Sequence, residues 1–201
     1  LLSDTTIFDL PDFEPLEIPE NGIQIHLPPF VVPPQFEREL FYYVEIDTPD
    51  FLYVNRITTT MRPGSHHFIV YTFDDVSQNY LPTEGVYRDV RNFNGMINNG
   101  VLFQMQYHQF ISGTQTRLFD YTLPEGVALK IDPSFGFDLN SHYANYSNDT
   151  IVGEVYNNFY FSDLEDVDHI AEILQLVNDD IYLPPNQETT LNSTYWIEDE
   201  Y

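Results

Sequence analysis

Apolar and polar positions along this chain alternate in short runs, and the dominant period is two. In Phe51–Thr60 (FLYVNRITTT), Val54, Arg56 and Thr58 fall on one side and Tyr53, Asn55 and Ile57 on the other. The runs at 40–46 (LFYYVEI), 67–73 (HFIVYTF), 136–145 (GFDLNSHYAN) and 152–162 (VGEVYNNFYFS) are likewise aromatic or β-branched. Each is bounded by Pro, Gly, Asp or Asn, as strands are. Three further strands are predicted: a short one over IQIHL, ended by Pro28-Pro29, one over 101–110 (VLFQMQYHQF), and one within 123–131 (LPEGVALKI) after a turn. The polar, Asn- and Gly-rich stretch 74–100 reads as a long loop. Residues 167–177 (VDHIAEILQLV) fit either a helix or a strand, and 179–197 reads as strand, turn, strand.

Many short strands at regular spacing predict an all-β fold, an antiparallel β-sandwich of jelly-roll-like form with long loops and extended termini. The expected units are an extended N-terminal arm over 1–22, the sandwich over 23–183, and a linker at 184–201 that enters a second, truncated domain. The opening Leu1-Leu2, with no Met, reads as a processed or cut chain.

Composition agrees. At 201 residues with 42% hydrophobic content the chain is long enough to fold without a staple. Sixteen Phe and 15 Tyr favour strands. The 32 acidic residues against seven basic ones give a formal charge of -25. That excludes nucleic acid as an expected partner, because phosphate binding needs a basic surface. No run of about 18 apolar residues is present, so no membrane insertion is expected. Absence of Cys removes disulfides, thiolate metal sites and thiol nucleophiles.

The chemistry then rests on histidine. Two of six, His66 and His67, adjoin at the mouth of an apolar run, directly after Pro63-Gly64. Neutral imidazole is the commonest protein ligand for copper and zinc, and three of them leave an open coordination position. In a regular strand neighbours point to opposite faces, so His66 and His67 reach one ion only at a strand start or a bulge. His142 is the candidate third ligand: alternation puts Asp138, Asn140 and His142 on a polar face, opposite Phe137, Leu139, Ser141 and Tyr143. Apolar residues on both sides of 68–73 predict a strand covered on both faces, by a second domain or a partner. His26, His108 and His169 are expected in ordinary structural roles, with a place facing the site as the alternative for His108.

The segments RPGSHHFIVYTF (62–73) and LPEGVALKI followed by FDLNSHYANYSNDTIVGEVYNNFYF (123–161) resemble the N-terminal domain of the copper type II, ascorbate-dependent monooxygenases. That family includes peptidylglycine α-hydroxylating monooxygenase and dopamine β-monooxygenase, and the likeness runs over residues 40–185 in order. The resemblance implies an antiparallel jelly-roll-like sandwich, secretion to an extracellular or periplasmic location, and one copper held by His66, His67 and His142. It implies ascorbate as reductant, and an electron-transfer role that needs a second copper domain or a partner subunit for hydroxylation. The lack of Cys departs from the animal enzymes and is closer to bacterial relatives.

Other readings stay open. Zinc also suits three imidazoles. Calcium would suit carboxylate-rich loops at Asp74-Asp75, 162–168 or Asp179-Asp180, although no EF-hand pattern is present. Paired carboxylates would suit glycan processing. A non-catalytic structural or adhesive module, self-assembling through extended terminal strands, is the alternative of a different class.

Overall fold

The computed structural model describes residues 13–48, 50–74, 80–176, 178 and 181–196. Among these residues eleven strands and one α-helix follow one another: β1 (Gly22–Val32), β2 (Phe36–Val44), β3 (Leu52–Met61), β4 (Ser65–Phe73), β5 (Tyr87–Asp89), α1 (Asn99–Met105), β6 (His108–Thr114), β7 (Leu118–Thr122), β8 (Val127–Ile131), β9 (Phe137–Asn145), β10 (Ile151–Phe161) and β11 (His169–Ala171). One sheet runs β1-β10-β3-β8-β11, with β7 also on β3; the other runs β5-β2-β9-β4-β6. All pairings are antiparallel except β11 with β8. From β1 to β4, and again from β8 to β10, the chain crosses between sheets at every step, which is the jelly-roll habit.

Alternation fills the space between the sheets. Leu40, Phe68, Val70 and Leu139 from one sheet meet Leu27, Val54, Val155 and Phe159 from the other. Gly153 is required by close approach: a Cβ there would lie 2.3 Å from the Phe30 ring.

Several expectations need correcting. β1 does not stop at Pro28-Pro29. Its register shifts between Leu27 and Phe30, so both prolines sit in a bulge where no ladder N–H is asked of them. The stretch expected as a loop over 74–100 contains β5 and the start of α1, while 75–79 lie outside the described residues. The strand expected over 101–110 is α1 followed by the first residues of β6. The Asn98 side chain caps Gly100 N, and Phe103 packs on Tyr80 and Tyr107. β7 was not anticipated, and the described part of 167–177, residues 167–176, supplies only the three-residue β11.

Residues 181–196 form no strand, and Pro184-Pro185 interrupt the run expected there. Asp179, Asp180 and 197–201 lie outside the described residues, as do residues 1–12 of the expected arm. Residues 13–21 of that arm lie along the sheet without regular structure, Leu16 and Glu17 accepting from Gln24 and Asn158. β4 is covered fully on one face only. Phe68 and Val70 are buried, whereas Ile69 and Tyr71 are half-buried.

The outer face of the second sheet is covered at one end. There Tyr43, Phe73 and Phe135 form a small apolar cluster with Leu81 and Tyr107. The Tyr43 hydroxyl donates to the Phe135 carbonyl at 3.0 Å. Burial, then the nearby carboxylates of Glu45, Asp138 and Glu84, push its pKa up to about 12. Unfolded tyrosine ionises near about 10, so this contribution to stability is complete below that pH and declines as pH rises toward 12. The expected result is a melting temperature that falls between pH 10 and 12, with Tyr43→Phe losing part of that dependence. Calorimetry across the interval checks it; identical slopes for the two proteins would refute it.

Candidate metal centre

Three elements bring the imidazoles together. Pro63-Gly64 turns the chain into β4, with Gly64 at φ 97°, a conformation that favours glycine. β4 pairs with β9 as Ser65 with Tyr143 and His67 with His142, so the register shifts across His66. His66 is the extra residue of a bulge, and that is what turns two successive side chains toward one place. On β9, His142 stands in register between His67 of β4 and Glu39 of β2.

His66, His67 and His142 each offer one ring nitrogen, and the three nitrogens lie within 4.8 Å of one another. Ring centroids are 5.1 to 5.5 Å apart. The Nδ1 atoms of His66 and His67 are 3.2 Å apart. Two ligands of a tetrahedral ion with metal–nitrogen bonds of about 2.0–2.1 Å stand roughly 3.3 Å apart, so the doublet already spans one edge of such a site.

His66 is exposed and the other two are half-buried, which leaves one side of the cluster open to solvent. Burial lowers the pKa of His142; Glu39 opposes this, His67 and His66 add to it, and Glu37 opposes it more weakly. The net preference is for neutral imidazole, the form that ligates a metal. Glu37 Oε2 stands 3.8 Å from His142 Nε2, and Glu39 Oε1 3.9 Å from His67 Nε2. These carboxylates give the rim a cation-attracting potential.

Among the described residues this is the only group of three or more His, Asp or Glu side chains close enough to share an ion. The described carboxylates of 162–168 do not converge in that way.

The remaining histidines stand away from the cluster, two of them in other side-chain contacts. His108 Nε2 meets Asp138 Oδ2 at 2.8 Å, and its ring stacks on Tyr71. His26 stacks on Tyr156 and contacts Glu154 at 3.0 Å. His169 is exposed at the start of β11.

Alternation placed Asp138, Asn140 and His142 on the outer face, and they are there, but that face is not simply open. Asp138 is 0% exposed and Asn140 2%, and only His142 emerges from beneath the cover. Asn140 and Glu39 were not singled out by sequence reasoning. The signal for Asn140 was its place two residues before His142 on the same face; nothing in the sequence said that this face would be covered. No helix among the described residues is long and apolar enough to cross a membrane.

Neither a protein-family model nor a curated protein matches this chain.

Proposed function

We propose that the chain binds one copper ion through His66, His67 and His142 and serves as the electron-transfer domain of a secreted, copper-dependent monooxygenase-like protein. The observation that carries this reading is the convergence of three imidazoles, two from a bulge and one in register on the next strand. The donor set fits copper: neutral nitrogen ligands, an open side for exchange, and no carboxylate or thiolate among the converging atoms. Copper, when bound, supplies a one-electron couple. The chain's part is to hold the three nitrogens, to keep His142 neutral and to draw cations to the rim. Hydroxylation belongs to a second copper domain or a partner subunit, and the resemblance of 62–73 and 123–161 points to ascorbate as reductant.

Titration of chelator-treated protein with Cu(II), followed by electron paramagnetic resonance, tests the reading. One equivalent should bind with nitrogen hyperfine structure, and ascorbate should then remove the Cu(II) signal. Oxygen-only ligation, or no bound equivalent, would overturn it. Preferential retention of zinc over copper would replace the redox role with a zinc site.

A second reading, a non-catalytic adhesive module, is favoured by one observation. Ile181, Tyr182, Leu183 and Trp196 are strongly exposed in a segment that forms no strand, Trp196 at 86%. Such a segment suits addition to the edge strand β6 of another copy. Sedimentation velocity over a concentration series, with chelator present, separates the two readings. Metal-independent growth of assemblies favours the module, and a monomer at all concentrations removes it.

A further inference from the structure

The support behind His67 is as informative as the ligands. Asn140 lies on β9, and its carboxamide has three partners. Its Nδ2 donates to the Leu40 carbonyl at 3.3 Å and to Glu39 Oε1 at 3.2 Å. Its Oδ1 meets His67 Nε2 at 2.8 Å. A backbone carbonyl and an ionised carboxylate can only accept, so they fix which end of the amide is the NH2 group. The end left for His67 is the oxygen, which also only accepts. His67 Nε2 must therefore carry a hydrogen. A neutral imidazole has one N–H, so the lone pair is on Nδ1, the atom 3.2 Å from His66 Nδ1.

We propose that Asn140 is a positioning residue of the metal centre: it holds His67 as the Nε2–H tautomer and commits Nδ1 to the ion. This rests on the metal reading above. It also extends that reading, since it assigns the ligating atom and the residue that selects it. The amide cannot turn over without setting its oxygen against the Leu40 carbonyl and the Glu39 carboxylate, and its NH2 against the His67 N–H. Burial of Asn140 removes water as a substitute partner. Glu39, accepting from the far side of the amide, polarises it in the sense that makes its oxygen a better acceptor. The series carboxylate, amide, imidazole thus takes the place of the carboxylate–histidine pairs that orient metal-bound imidazoles elsewhere. In the metal-free chain His66 Nδ1–H donates to His67 Nδ1, and an arriving ion takes the place of that proton.

The test begins with the metal-free, nitrogen-15-labelled protein. Two-bond proton–nitrogen correlation spectra should show His67 with a hydrogen on Nε2 and none on Nδ1. In Asn140→Leu that preference should disappear, and copper affinity should fall about 10- to 100-fold, the range for lost outer supports of metal ligands. A hydrogen on Nδ1 of His67 in the unsubstituted protein overturns the proposal, even if Asn140→Leu fails to fold. An unchanged tautomer and affinity in a folded Asn140→Leu overturns it as well. The two claims fail separately. If copper binds but His67 carries Nδ1–H, Asn140 loses its role and the copper reading stands. If the tautomer depends on Asn140 but copper does not bind, the copper reading falls alone.

Discussion

Alanine at His142 should abolish stoichiometric copper binding while leaving the fold intact. Among the described residues three nitrogens make up the converging donor set, so removal of one leaves two ligands and water. Lost outer supports alone cost metal sites about 10- to 100-fold in affinity, so loss of a direct ligand should exceed about 100-fold. The three positions should not be equal. His67 is braced by Asn140 and His142 is half-buried between two strands, so neither can be replaced by a mobile water at the same point in space. His66 sits exposed on the bulge, where a water can stand in, and His66→Ala should show the smallest loss. Stability should change little for His66→Ala, because substitutions at the surface away from packed features fall within about 0.5 kcal/mol. Competition titration against a chelator of known affinity, with circular dichroism to check the fold, decides the matter. Wild-type affinity in all three alanine variants would remove the site.

The sequence made the strands legible wherever two conditions held together: a period of two, and turn residues at both ends. The predicted runs at 40–46, 51–60, 67–73, 136–145 and 152–162 each fall on or within a residue or two of one long strand of the sandwich. Failures occurred where one condition misled. Pro28-Pro29 signalled an end, yet a bulge between Leu27 and Phe30 carries β1 past them. The apolar run after Asn98 is too short for periodicity to separate helix from strand, and a side-chain cap with an aromatic cluster decides for α1. Residues 181–196 look strand-forming, but strands are made by ladder pairing as well as by composition, and the segment takes no place in either sheet.

At the site, the Pro-Gly turn before the doublet foretold a strand start or bulge, and alternation foretold the side on which His142 stands. What could not be read is depth. Asp138, Asn140 and His142 look alike as a polar row, yet the first two are buried and the third is half-buried; Arg88 of β5 and His108 of β6 hold Asp138, and His67 of β4 and Glu39 of β2 hold Asn140. That packing is long-range in sequence, and it converts Asn140 from a surface amide into a fixed one.

The same packing makes Asp138 the position where one substitution should cost the most. Its carboxylate, 0% exposed, accepts from the Arg88 guanidinium and faces His108 Nε2 at 2.8 Å. Arg88 also donates to Gln104 of α1, so the carboxylate ties β9 to β5 and, through them, to the helix. Asp138→Ala would leave a nearly buried guanidinium without its counter-charge. Breaking a buried pair from one side costs about 3–5 kcal/mol, against a total stability of about 5–15 kcal/mol for a typical domain. For a chain of this length about 1 kcal/mol corresponds to roughly 2–4 °C, so the melting temperature should drop by about 6–20 °C.

The pair itself is a weaker source of stability than that drop suggests, because desolvation of both charges offsets their attraction. The double replacement Asp138→Leu with Arg88→Met should therefore recover most of the loss. A double variant as unstable as Asp138→Ala would show that the ties to His108 and Gln104, not the uncompensated charge, set the cost. Copper gives the final check, since a ligand that binds only the folded chain adds about 2.7 kcal/mol at 100 times its dissociation constant. If Asp138→Ala melts early but gains that increment from copper, the floor beneath the site and the site above it are independent. If it gains nothing, β9 must be held from below for His142 to meet the other two.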